Sequence, residues 1–73
     1  MLVGFTDYAL SRMSERDVLV EEVVQALERA PLHHRPGKVE GREEVTLRTG
    51  QRVLLVVYRR RGEGYLVINA MWE

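Results

Sequence analysis

The feature that most constrains this chain is the stretch Gln51-Arg52-Val53-Leu54-Leu55-Val56-Val57-Tyr58-Arg59, an apolar run dense in β-branched residues with basic side chains at both ends. Such a run reads as a central β-strand. Its two alternating sets, Val53/Leu55/Val57 and Leu54/Val56/Tyr58, are both apolar, so each face of the pleat meets something other than bulk water. Helices of the same chain can cover one face. The cover of the other face is the functional question.

A chain of 73 residues builds one small domain, read here as residues 1–73, with a core that is only just adequate and that a subunit partner would help. The formal charge is zero, so the total points to neither nucleic acid nor membrane. That balance hides a division. Residues 1–30 carry Asp7, Glu15, Asp17, Glu21, Glu22 and Glu28 against Arg12, Arg16 and Arg29, a net of −3, and the remainder is basic by the same amount. There is no cysteine, hence no disulfide framework and no thiolate chemistry, and a cytoplasmic location is expected. The opening Met-Leu-Val-Gly-Phe is too short for a signal-peptide apolar region, and no segment approaches the roughly 20 apolar residues of a membrane span. Lys38 is the only lysine beside ten arginines, a bias that suits a thermophile or a GC-rich genome equally.

Along the chain, Leu2, Val3 and Phe5 suggest a short strand or an anchored lead-in. Thr6 and Asp7 are helix-start residues, and a helix is predicted from about Tyr8 to Glu15, with Phe5, Ala9 and Met13 facing the core and Tyr8, Arg12 and Arg16 in a neighbouring polar stripe. After a break near Asp17, Val20, Val23, Val24 and Leu27 have the spacing of an amphipathic helix, which Pro31 ends. Residues 31–38, with two prolines and a glycine, read as an ordered connector. Three strands follow: an edge strand from about Val39 to Arg48, the central strand after a tight turn at Thr49-Gly50, and a last strand from Tyr65 to Trp72. The expected fold is α+β, two N-terminal helices packed on a three-stranded antiparallel meander, to which the short N-terminal strand is an optional addition. We expect Val53, Leu55 and Val57 to lie under the helices with Val45 and Leu47. Leu54, Val56, Tyr58, Val67 and Met71 then form an outward patch, the expected partner interface.

The segment Thr6-Asp7-Tyr8-Ala9-Leu10-Ser11-Arg12-Met13-Ser14-Glu15-Arg16, continued by Val18, Glu21-Glu22-Val23 and Leu27, resembles the opening of a small domain family placed with the RelE/ParE-like toxins. Its members begin Thr-x-His-Ala-x-x-Arg-Met-x-x-Arg and run on into a Glu-Glu-Val helix and closing strands. The resemblance implies a fold shared with ribosome-dependent messenger-RNA endonucleases and gyrase poisons, neutralised by an antitoxin peptide. Two positions depart from it: Tyr8 replaces a histidine, and Leu19 replaces a helix cap. The implied function is a toxin-type binding module, homodimeric or antitoxin-bound. The alternative is a metal-independent ribonuclease.

Cleavage of RNA needs a base, an acid and cations for the charge developing on phosphorus. Arg12 and Arg16 are the candidate cations and Tyr8 or a histidine the candidate proton carrier, with Asn69 at the position where relatives carry a polar residue on the last strand. A tyrosine needs strong assistance to act as a base, and a packed ring beside paired arginines is the plainer account. His33 and His34 are the only histidines. Adjacent residues on an extended segment point apart, so they do not chelate, and neither a metal nor another cofactor is expected. Arg48, Arg52, Arg59, Arg60 and Arg61 are candidates for RNA phosphates, or equally for a solvated turn and edge protection. Trp72 is expected to complete a core or an interface.

Overall fold

In a computed structural model describing Met1 to Glu73, the fold is α+β, two helices against one face of a five-stranded mixed sheet. In chain order the elements are β1 (Val3–Phe5), α1 (Asp7–Arg16), α2 (Val20–Leu27), a short 3-10 turn (Pro31–His33), β2 (His34–Pro36), β3 (Glu43–Thr49), β4 (Arg52–Arg61) and β5 (Gly64–Trp72). The sheet order is β1-β5-β4-β3-β2, with β1 parallel to β5 and every other pair antiparallel. No helix is long and apolar enough to cross a membrane.

Local chemistry explains the helix ends. The Thr6 side chain accepts the Ala9 amide at 3.0 Å, capping α1. Asp17 ends it in the left-handed conformation, φ 55°, its amide turned back toward the Met13 and Ser14 carbonyls. Leu19 cannot cap α2 with its side chain. Instead the Glu22 carboxylate reaches back to accept the Leu19 amide at 2.9 Å, half of a capping box. The buried stripe of α2 is Val23, Ala26 and Leu27, whereas Val20, expected in the core, is exposed.

The sheet differs from expectation in two ways. It has five strands: the short N-terminal strand suggested at Leu2–Phe5 forms as β1 and adds to β5, and three residues of the connector, not expected as strand, add to β3 as β2, so β3 is not an edge strand. The faces of β4 are also the reverse of those expected. Leu54, Val56 and Tyr58 are fully buried beneath the helices with Val45, Val67, Ala70, Ala9, Met13 and the α2 stripe. Val53, Leu55 and Val57 look the other way. Of the expected partner patch, therefore, Leu54, Val56, Tyr58 and Val67 are core residues, and Met71 alone lies on the uncovered face.

The reason is register. The turn between β3 and β4 has two residues, Gly50 and Gln51, with Gly50 at φ +64°, and it pairs Thr49 with Arg52. Leu47 then lies opposite Leu54 and Val45 opposite Val56. Because side chains alternate with a period of two, misplacing that pairing by one residue exchanges the faces of the whole strand.

Candidate functional site

The uncovered face of the sheet is the candidate site. Along β4 it presents Val53, Leu55 and Val57. Along β5 it presents Ile68, Asn69 and Met71, because Tyr58 pairs with Val67 and Val57 with Asn69, leaving Ile68 as the extra residue of a β-bulge. Leu55, Val57, Ile68 and Met71 are the apolar floor of an open concavity of about 690 Å³. Its walls are Thr6 and Tyr8 from the start of α1, Asn69 and Glu73 from β5, and Arg35, Lys38, Val39, Arg42 and Glu44 from the connector and β3.

The connector is built to hold that wall in place. Gly37 donates its amide to the Arg42 carbonyl at 2.8 Å, and Arg42 donates to Val39 at 3.0 Å, closing a compact loop. A Cβ on Gly37 would approach the Arg42 carbonyl oxygen to 3.0 Å, so the close approach favours glycine. Arg35 lies opposite Glu44 in the register of β2 and β3, and its Nε donates to Glu44 Oε1 at 3.1 Å. Glu44 is buried by this contact, whereas Lys38 and Arg42 are exposed and make no ion pair. Alternation along the strands adds Arg48 and Arg59 to the same face. The electrostatic character is an apolar floor with a cationic rim.

The candidates for chemistry fall into place as follows. Tyr8 is exposed and lines the concavity; Arg12 Nε donates to its hydroxyl oxygen at 3.2 Å and Arg12 Nη1 reaches Glu15 at 3.1 Å. These contacts hold the Arg12 guanidinium above its ordinary range, the Tyr8 bond foremost. Arg16 points back to the sheet, donating to Asn69 Oδ1 at 3.1 Å and the Ala70 carbonyl at 3.0 Å, while Asn69 Oδ1 also accepts the Ala70 amide. Arg16 and Asn69 thus brace the bulge. Tyr8 and Asn69 share the concavity, but both guanidinium groups of the quartet are engaged within the chain.

The five arginines grouped as phosphate contacts divide between the faces. Arg52 lies over the Trp72 ring at 3.7 Å, a cation–π contact, and Trp72 Nε1 donates to the Arg16 carbonyl at 2.8 Å, so this pair seals the end of α1. Arg60 pairs with Glu43 at 3.1 Å, which holds its guanidinium above the ordinary range. Arg61 reaches along the opposite face toward Gly4, where a Cβ would meet its Nη2. The five make no single stripe.

Sequence reasoning misses Arg35 and Lys38 because it reads residues 31–38 for their turn-forming types alone, and misses Arg42 because it starts the strand at about Val39, whereas β3 begins at Glu43. It also misses a partly buried polar chain on the helix side. His34 Nδ1 lies 2.5 Å from the Tyr58 hydroxyl, which lies 3.0 Å from Glu43 Oε1, and His34 Nε2 lies 2.9 Å from the Arg29 carbonyl. His33 turns instead toward the Arg29 guanidinium, 3.3 Å away. The available signal was the hairpin count, which sets Glu43 opposite Tyr58.

No family model, no curated protein and no solved structure matches this chain.

Proposed function

We propose that the chain is a protein-binding module of the toxin type implied by its resemblance to RelE/ParE-like proteins, and that its uncovered sheet face takes an acidic, amphipathic segment of a partner polypeptide. The observation that carries this reading is the pairing of an apolar floor, Leu55, Val57, Ile68 and Met71, with the unpaired cations Lys38 and Arg42 on its wall. Apolar side chains of a partner would fill the floor, and its carboxylates would meet the rim.

Three features favour this occupant over others. Each sheet edge is a strand of three residues, and β2 ends in Pro36, so the edges offer little for an added strand. A second copy is a poorer fit. Two basic faces brought together by a twofold axis would oppose like charges, while a basic face on acidic helices is a head-to-tail contact that does not close. For RNA, the floor has no aromatic stacking platform, Tyr8 on the wall being the only aromatic side chain there.

The test is NMR shift mapping with three probes: a synthetic Leu/Glu amphipathic helical peptide, the same composition scrambled, and a single-stranded oligouridine. The amphipathic peptide is expected to move Leu55, Val57 and Met71, and Leu55→Asp to abolish the effect without unfolding the chain. Equal response to the scrambled peptide, tighter binding of the oligonucleotide, or shifts confined to the helices would overturn the reading. Co-expression with the product of the adjacent reading frame then asks whether a natural partner protects the same residues.

A further inference from the structure

The polar chain under the helices contains three hydrogen bonds that the ordinary protonation states of its members cannot complete. A carbonyl oxygen only accepts, so His34 Nε2, facing the Arg29 carbonyl, carries a proton. A carboxylate only accepts, so the Tyr58 proton is committed to Glu43, and Nδ1 must carry a second proton to donate to the Tyr58 oxygen. If Tyr58 instead donates to Nδ1, its oxygen and Glu43 Oε1 are two acceptors facing each other unless Glu43 is protonated. Three bonds need three protons. A neutral imidazole, a phenol and a carboxylate together supply two.

We propose that His34, Tyr58 and Glu43 form a proton-binding site, which takes up one proton as the chain folds and holds it between the Arg29 carbonyl and the Glu43 carboxylate. This does not depend on the partner reading, since all three side chains lie on the helix side of the sheet.

The surroundings favour the form with an imidazolium and a carboxylate. Arg60 donates to Glu43 Oε2 at 3.1 Å on the side away from Tyr58, so positive, negative and positive groups alternate. From α2 and the turn after it come the Arg29 guanidinium, which donates to the Thr46 carbonyl at 2.7 Å, and His33 beside it. From β5 comes Tyr65, its ring edge-on to Tyr58 with centroids 5.2 Å apart. The charged neighbours Arg35 and Glu44 point to the opposite face and pair with each other. No charged side chain of α1 bonds to any of the three. Tyr58 is fully buried, and burial, with the Glu43 bond, pushes its hydroxyl well above the usual phenol range, so it stays a donor.

The sign follows from proton number. The folded chain holds a proton that the unfolded chain gives up at the ordinary histidine value of about 6.5, so this stability is complete below about pH 6.5 and is lost as pH rises above it. Loss of the proton opens one bond of the chain in which His34 ties β2 to the Arg29 carbonyl and to Tyr58, at the root of the loop carrying Lys38 and Arg42. His33 lies beside the Arg29 guanidinium at 3.3 Å, so the readout must be specific to His34.

Two measurements decide. Nitrogen-15 NMR of the imidazole rings in the folded wild-type chain is expected to show both His34 nitrogens protonated at about pH 7.5. Urea unfolding is expected to show the unfolding constant rising by up to about ten-fold per pH unit in this range. Glu43→Gln should remove that rise and keep the fold, because an amide N–H donates to the Tyr58 oxygen and frees the Tyr58 proton for Nδ1, completing three bonds with a neutral imidazole. A His34 ring with one protonated nitrogen at about pH 7 would overturn the proposal, and so would a Glu43→Gln variant that keeps the wild-type slope. If that variant fails to fold, the ring measurement on the wild type decides alone.

Discussion

Leu54 and Leu55 are neighbours of the same type on β4, yet the pleat sends one into the core and the other to the uncovered face. Leu54 has no exposed surface, so Leu54→Ala removes buried methyl groups and leaves a cavity, an expected loss of about 2–5 kcal/mol. Leu55→Ala is expected to cost well under half of that, because its side chain borders an open concavity. Urea midpoints of the two variants check the face assignment directly, and a larger loss for Leu55→Ala would reverse it. Tyr58, next but one on the same face as Val56, carries an alkaline prediction. Its hydroxyl is raised above the unfolded value of about 10, so the folded state keeps the proton longer than the unfolded one. That contribution is complete below about pH 10 and is lost as pH rises beyond it, so unfolding should become progressively easier there, and Tyr58→Phe should flatten the alkaline limb.

Among the elements, the helices and the three long strands were legible in the chain's apolar pattern, β1 was legible only as one of two readings, a short strand or an anchored lead-in, and β2 was not, since three residues have no periodicity to speak of. Their existence rests on tertiary neighbours. β1 is held by the backbone of β5, with the Tyr65 amide donating to the Leu2 carbonyl at 2.8 Å and the Thr6 amide to Val67 at 3.0 Å. Gly64 permits this approach, for a Cβ there would lie 2.3 Å from the Leu2 carbonyl oxygen. Gly64→Ala is therefore expected to push β1 off the sheet, at a cost of about 1–3 kcal/mol, and to speed amide exchange at Val3–Phe5 while leaving the β3–β4 hairpin protected. On the other edge, the Arg29 guanidinium caps the Thr46 carbonyl, which β2 is too short to reach.

For the molecule as a whole, the sequence separated an acidic first part from a basic second part, and the fold turns that division into geometry: acidic helices on one side of the sheet, a cationic rim on the other. What hydropathy could not decide was which side of β4 was which, because both of its alternating sets are apolar and only the two-residue turn breaks the tie. The candidate site was legible in kind, an apolar sheet face with arginines, but not in membership. If the rim steers an acidic partner, raising the salt from about 0.1 M to about 0.5 M should slow association of the amphipathic peptide far more than its dissociation, a difference that stopped-flow measurements resolve.

The bulge in β5 has a consequence of a different kind. Every residue from Asn69 to Trp72 would keep its partner on β4 and its side of the sheet if Ile68 were absent, because the pairing of Tyr58 with Val67 and of Val57 with Asn69 would then become a regular ladder. Ile68 is thus a supernumerary residue, one codon inserted without disturbing the frame of the strand around it. Its deletion would be an experiment by subtraction, in which the sheet closes over the gap and the uncovered face loses a single apolar side chain.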